Sequence, residues 1–154
     1  MSNLVVPKIK IGEIIQIGII VRDLQKAVEN YWAIFGIGPW QVVRMEPPIL
    51  TDVTIRGKPV EASMLAAIAQ NGNIQLELIQ PIEGPSIWKE FLEERGEGLH
   101  HVQPLVQDIK ASLIAFKEMG VDVLMIGKIA NSIFYYMDTE PLLGIILEFI
   151  DTGS

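Results

Sequence analysis

Four polar side chains stand in runs that are otherwise apolar. They are Gln16 in Ile14-Ile15-Gln16-Ile17, Glu77 in Leu76-Glu77-Leu78-Ile79, His101 in Leu99-His100-His101-Val102, and Glu148 in Leu147-Glu148-Phe149-Ile150. A carboxylate buried alone in such a run is costly. Two carboxylates, an imidazole and an amide oxygen converging on one point answer that cost by binding a divalent metal. The set holds oxygen and nitrogen but no sulfur, so Zn²⁺, Ni²⁺, Co²⁺, Mn²⁺ and Fe²⁺ all qualify, with positions left open to water. An ion of that kind chelates two neighbouring substrate oxygens and acidifies the C–H beside a carbonyl. A carboxylate beside it removes and returns that proton, and Glu148 is read as ligand and base together. Taken singly, each of the four is an ordinary solvated strand residue; only their equivalence argues for a site.

Equivalence follows from the elements that carry them. Ile14 to Val21 is β-branched and apolar, hence a strand. Asp23 offers an N-cap, and Leu24, Ala27, Val28, Tyr31, Trp32 and Phe35 form one helical face. Gly36, Gly38 and Pro39 stop it. Strands are expected over Trp40–Met45, Val60–Ala69 and Asn73–Gln80, with Asn71-Gly72 as a hairpin turn. Residues 1–12 read as an irregular lead-in, and Ser86 to Arg95 as a short helix. That helix, with Trp88, Phe91 and Leu92, reads as a lid, an interface or a cap on the cleft. The order then repeats: strand Leu99–Val106, N-cap Asp108, a helical stripe of Ile109, Leu113, Phe116 and Met119, then strands Val121–Ile126, Ser132–Asp138 and Gly144–Ile150. A shift of 85 residues carries Val21 onto Val106, Asp23 onto Asp108 and Gln16 onto His101. Leu76-Glu77-Leu78-Ile79 aligns separately with Leu147-Glu148-Phe149-Ile150. Because strand side chains alternate, Ile15, Ile17, Leu76, Leu78, Val102 and Leu147 share the helix side, and the four polar residues share the other. His100 is expected to point away from the site, as a structural residue or a support. Of Tyr135 and Tyr136, which take opposite faces, one is placed to line the pocket.

The fold class is therefore α+β: two tandem βαβββ modules, residues 13–81 and 98–151, joined by a linker with a short helix over 82–97. Composition excludes several other classes. The chain has 154 residues and a formal net charge of −7, against a nucleic-acid partner. No apolar run is long enough to span a membrane, and no signal peptide is read. With no cysteine, thiolate chemistry and iron–sulfur clusters are out, which fits a cytoplasmic protein. A mean hydropathy of +0.34 points to apolar surface buried in a homodimer.

The segments Ile14 to Leu24, Leu76 to Pro81, Gly96 to Val102 and Gly144 to Ile150 together resemble the vicinal oxygen chelate (glyoxalase/bleomycin resistance/dioxygenase) superfamily. The chain is most similar to methylmalonyl-CoA epimerases and, more distantly, to glyoxalase I. The resemblance spans Glu13 to Asp151 and implies that the two modules form a curved mixed sheet around a metal-bearing cleft, with metal ligands at Gln16, Glu77, His101 and Glu148. It implies a metal-dependent isomerase, epimerase or lyase that abstracts a proton α to a carbonyl. The substrate class it implies is a small molecule such as an acyl-CoA thioester. Glu61, sixteen residues before Glu77, falls near an acidic position of the epimerases and is the second candidate base. Its plain alternative is an exposed strand residue. Epimerases carry His where this chain has Gln16. The set Gln, Glu, His, Glu is similar to one glyoxalase I subtype, but that enzyme's glutathione-binding Arg and Asn fall on Ile20 and Pro81 here. A lactoylglutathione lyase is thus one alternative, and a non-catalytic, resistance-type binding protein on the same fold is another.

Overall fold

In the computed structural model, which describes residues 6–153, the elements follow in the order β1 (Ile11–Ile20), α1 (Leu24–Phe35), β2 (Gln41–Met45), β3 (Leu50–Ile55), β4 (Lys58–Pro59), β5 (Met64–Asn71), β6 (Ile74–Pro81), α2 (Ile87–Arg95), β7 (Gly98–Val106), α3 (Ile109–Glu118), β8 (Val123–Ile129), β9 (Ser132–Met137), α4 (Glu140–Leu143) and β10 (Ile146–Asp151). The two long helices start alike. The Asp23 carboxylate accepts from the Lys26 amide at 3.1 Å, and that of Asp108 accepts from the Ala111 amide at 3.0 Å. Gly36 closes α1 in the left-handed conformation, φ 67°.

All ten strands form one curled mixed sheet in the order β2-β5-β6-β1-β7-β10-β9-β8-β3-β4, with the four helices making the fold α+β. At its centre β1 and β7 run antiparallel, while each pairs in parallel with the closing strand of its own half, β1 with β6 and β7 with β10. The sheet has three apolar layers. Leu24, Val21, Ala67 and Leu78 pack under α1 with Ile19. Phe116, Val121, Leu147 and Phe149 pack under α3 with Val102. The concave face holds the third layer: Ile20, Ile79, Met125, Phe134 and Tyr136, filled from within the curl by Trp88 of α2. The expected alternation of sides therefore holds at Ile19, Leu78, Val102 and Leu147.

Several elements differ from the sequence expectation. A hairpin, β3–β4, occupies residues for which no element was expected, and it crosses to the far edge of the sheet to pair with β8. Its turn is Arg56-Gly57, both at positive φ, and Asp52 at φ 52° interrupts the strand's alternation, so neither hairpin dipeptide nor period announces it. Strand β5 begins at Met64 rather than Val60. Ser63 is held instead by Glu83, its amide donating to the Glu83 carbonyl at 2.8 Å and its hydroxyl accepting from the Glu83 amide at 3.1 Å. The β5–β6 turn centres on Gly72 and Asn73, one residue later than expected, since Asn71 pairs with Ile74 and Gly72 takes φ 61°. Strand β8 starts at Val123 and runs to Ile129, and the short α4 was unannounced. Of the lead-in expected over residues 1–12, positions 1–5 lie outside the described residues, and Ile11 already belongs to β1. Among the described residues, no helix is long and apolar enough to cross a membrane.

Candidate metal centre

Gln16, Glu77, His101 and Glu148 meet on the concave face. His101 lies at the middle, with Nε2 3.3 Å from Gln16 Oε1, 3.5 Å from Glu77 Oε1 and 3.7 Å from Glu148 Oε1. His101 is fully buried, and the most open of the four, Glu77, is 9% exposed. The strand pairings set this convergence. Gly18 is registered against both Glu77 on β6 and His101 on β7, and β10 reaches β7 through Ile146 beside His101. Gly18 is needed because the His101 ring lies directly on it. A Cβ there would sit 2.0 Å from His101 Cε1.

Neighbouring residues orient the donors. Gln16 Nε2 donates to Gln75 Oε1 at 2.6 Å, which leaves Gln16 Oε1 facing His101. Tyr136 stands opposite Glu148 in the β9–β10 register, and its hydroxyl accepts from Trp88 Nε1 at 3.1 Å. So Tyr136, rather than Tyr135, faces the site. His100 corrects an expectation. It does not point away: its Nδ1 lies 2.9 Å from His101 Nδ1, and the side chain is buried. The reason is a β-bulge. Gly18 pairs with His101 and Ile19 with Leu99, so His100 is an extra residue in β7, and a bulge re-aims the side chains around it.

Burial raises the Glu148 pKa to about 7; the His101 charge pulls it down and Glu77 pushes it up. Burial opposes a charged His101, but Glu148 and Glu77 outweigh it and hold its pKa above the usual imidazole value. For His100 burial acts with the charge of His101 and lowers its pKa well below that value. Tyr136 is pushed well up by burial and then by the two carboxylates.

The donor set fits a divalent cation. Ligands about 2.1 Å from a common ion lie roughly 3.0–3.4 Å apart, close to the separations measured from His101 Nε2. Among the described residues, no three His, Asp or Glu side chains already stand around one point as a finished site. The Glu77 and Glu148 oxygens, at 3.5 and 3.7 Å from His101 Nε2, stand just outside the separation that a shared ion would set.

Glu61 is not brought to this cluster. It is exposed in the segment before β5, where its carbonyl packs against Gly84, and among the described residues no hydrogen bond or ion pair joins it to the four. Helix α2 proves to be the cap on the cleft. Trp88 is 1% exposed and Phe91 places its ring against His100 with centroids 5.2 Å apart. Arg56 holds Glu90 of α2 in a two-bond ion pair, and Arg95 of α2 pairs with Glu140. Sequence reasoning missed Gln75, Tyr136 as the partner of Glu148, and Gly18. Only Gly18 left a signal, a lone glycine inside a run of isoleucines.

Residues 15–136 match the Glyoxalase/Bleomycin resistance protein/Dioxygenase superfamily. The chain is 34% identical over 108 residues to the uncharacterized Bacillus subtilis (strain 168) protein YqjC, covering 70% of this chain and 67% of that one. In three dimensions it is similar to a Streptomyces coelicolor methylmalonyl-CoA epimerase variant in complex with 2-nitronate-propionyl-CoA, at 23% identity, TM-score 0.62, 92% of this chain and 94% of that one. It is also similar to methylmalonyl-CoA epimerase from Mycobacterium tuberculosis, at 21% identity, TM-score 0.58, 97% and 92%. At these identities the structural likeness establishes the fold.

Proposed function

From the premise that the chain belongs to the glyoxalase/bleomycin resistance protein/dioxygenase superfamily, we propose a metal-dependent enzyme that moves a proton α to a carbonyl, with methylmalonyl-CoA epimerase-like activity. The observation that carries this is the meeting of Gln16, Glu77 and Glu148 oxygens around His101 Nε2 at 3.3–3.7 Å, in a buried position. A Zn²⁺, Ni²⁺, Co²⁺ or Mn²⁺ ion held there supplies Lewis acidity toward a substrate carbonyl.

The chain's own residues do the rest. Gln16, fixed by Gln75, presents a neutral oxygen and keeps the net charge of the donor set low. Glu77 and Glu148 balance the ion's charge. Glu148 also serves as the base, the carboxylate beside the ion that takes and returns the carbon-bound proton. Tyr136, opposite it in the strand register, walls that carboxylate from the β9 side. Epimerisation needs two faces served and isomerisation one; Glu61, which stands apart from the cluster, is the second base only for a substrate that extends from the ion to the segment before β5. An acyl-CoA thioester as substrate is supported by the ligands of the similar structures, which include 2-nitronate-propionyl-CoA and, in a second methylmalonyl-CoA epimerase structure, methylmalonyl-CoA with NH₄⁺.

Elemental analysis of the purified protein, followed by α-proton exchange of methylmalonyl-CoA in deuterated water, tests the reading. One divalent ion per chain and exchange lost in Glu148→Gln are expected. Metal uptake without exchange would refute the substrate; neither would refute the enzyme. One observation favours a second reading, a non-catalytic binding protein: the four side chains are at most 9% exposed beneath α2, leaving a substrate a narrow approach. In that case ligand binding survives Glu148→Gln. We also propose a homodimer, supported by exposed Trp32, Ile34 and Phe35 on α1, which sedimentation will show as twice the chain mass.

A further inference from the structure

We propose that His100 is a positioning residue for His101: it accepts the Nδ1–H of His101 and so fixes which nitrogen of that ring is left for a cation. This rests on the metal-dependent reading above.

The two Nδ1 atoms are 2.9 Å apart, so one hydrogen lies between them. A neutral imidazole has one donor and one acceptor nitrogen, which allows two arrangements of the neutral pair, while a charged His101 donates from both nitrogens and leaves His100 the acceptor. If His100 donates, His101 must carry its hydrogen on Nε2, pointing at Gln16, Glu77 and Glu148, and that nitrogen is closed to an ion. If His101 donates, its Nε2 lone pair faces the three oxygens and the ring is held in line by its other nitrogen. His100 then carries its hydrogen on Nε2.

The surroundings of His100 argue that this contact is why the residue is there. Its side chain is 2% exposed, set edge-on to Phe91 at 5.2 Å and to Tyr136 at 5.5 Å. Among the described residues Nε2 has no hydrogen-bond partner. An apolar ring would fill this space without burying a polar atom. The only side-chain hydrogen bond His100 makes among the described residues is to His101, and the β7 bulge is what brings it there.

The test uses the full chain. Long-range ¹H–¹⁵N imidazole spectra, recorded metal-free and with one equivalent of Zn²⁺, should show His100 unprotonated at Nδ1 and protonated at Nε2 in the zinc form, with His101 protonated at Nδ1. A proton on His100 Nδ1 in that form overturns the proposal. In competition with a chromophoric chelator, His100→Phe should bind Zn²⁺ roughly 10- to 100-fold more weakly. His100→Asn, whose Oδ1 can accept in place of Nδ1, should recover most of that loss. Wild-type affinity in His100→Phe overturns the proposal. If the wild-type chain takes up no Zn²⁺, Co²⁺, Ni²⁺ or Mn²⁺, the metal reading fails instead. The metal-free spectrum then decides the hydrogen bond by itself: Nδ1 of His100 unprotonated sustains it, and protonated refutes it.

Discussion

Gln16 and His101 occupy equivalent positions on the two central strands, one shift of 85 residues apart, and they face each other across the antiparallel β1–β7 pair. The same shift carries Gly18 onto Gln103, and the register crosses them: Gln16 lies beside Gln103, Gly18 beside His101. The half that contributes the imidazole therefore rests on a glycine from the other half, while the slimmer amide tolerates a full side chain beside it. Surroundings differ too. The first half orients Gln16 with another amide, Gln75, whereas the second encloses His101 and Glu148 among His100, Tyr136, Trp88 and Phe91. A duplicated backbone sets where donors point, and the local packing sets what they can do. By this account the second half carries the proton chemistry and the first half completes the cage.

The sharpest way to break that comparison is at the glycine. Gly18→Ala should displace the His101 ring, lower stability by about 2–3 kcal/mol, and abolish cation binding. Gln103→Ala, its counterpart, should stay within about 1 kcal/mol of wild type. Denaturant titration with a metal-binding assay distinguishes the two, and equal effects would contradict the crossed register.

Next in size are the carboxylates. Glu148→Gln should slow α-proton exchange by on the order of 10²–10⁴, a larger loss than Glu77→Gln causes in the same deuterium assay once both are saturated with metal. Equal losses would place base and ligand duties on both halves alike. Making the halves alike is the converse experiment. Gln16→His should tighten Zn²⁺ binding by roughly tenfold, because imidazole suits zinc better than a neutral amide oxygen, as chelator competition will measure.

Acidity adds a smaller, signed effect. The Glu148 pKa is raised in the folded chain, so its carboxyl stabilises the fold at low pH, and that contribution is lost as pH rises from about 4.5 through about 7. His100, with its lowered pKa, acts in the other direction below about 6.5. The two separate in a difference measurement: in chelator, Glu148→Gln should gain stability relative to wild type between pH 5 and pH 8. A flat difference would show Glu148 to be as solvated as an ordinary carboxylate. The smallest change is expected at the exposed ion pairs that tie down α2. Arg56→Gln should cost less than about 1 kcal/mol in thermal unfolding, since its pair with Glu90 is half-exposed.

The elements of this chain were largely legible because periodicity and caps are local. Asp23 and Asp108 announced their helices, and the isoleucine runs their strands. The β3–β4 hairpin was not legible. Its strand is broken at Asp52 and its partner, β8, lies in the other half of the chain. Helix α2 could be placed along the sequence, but its burial inside the curl, with Trp88 against Tyr136, depends on contacts 48 residues apart.

Alternation along strands, together with the repeat, determined that Gln16, Glu77, His101 and Glu148 share one face, because strand period and duplication are properties of the residue order alone. That Gly18 lies under His101, that Tyr136 stands opposite Glu148, and that a bulge turns His100 back toward His101 were decided only in three dimensions. Register between strands distant in sequence is set by how whole layers pack, and a one-residue bulge changes which side chains meet without altering the composition of either strand.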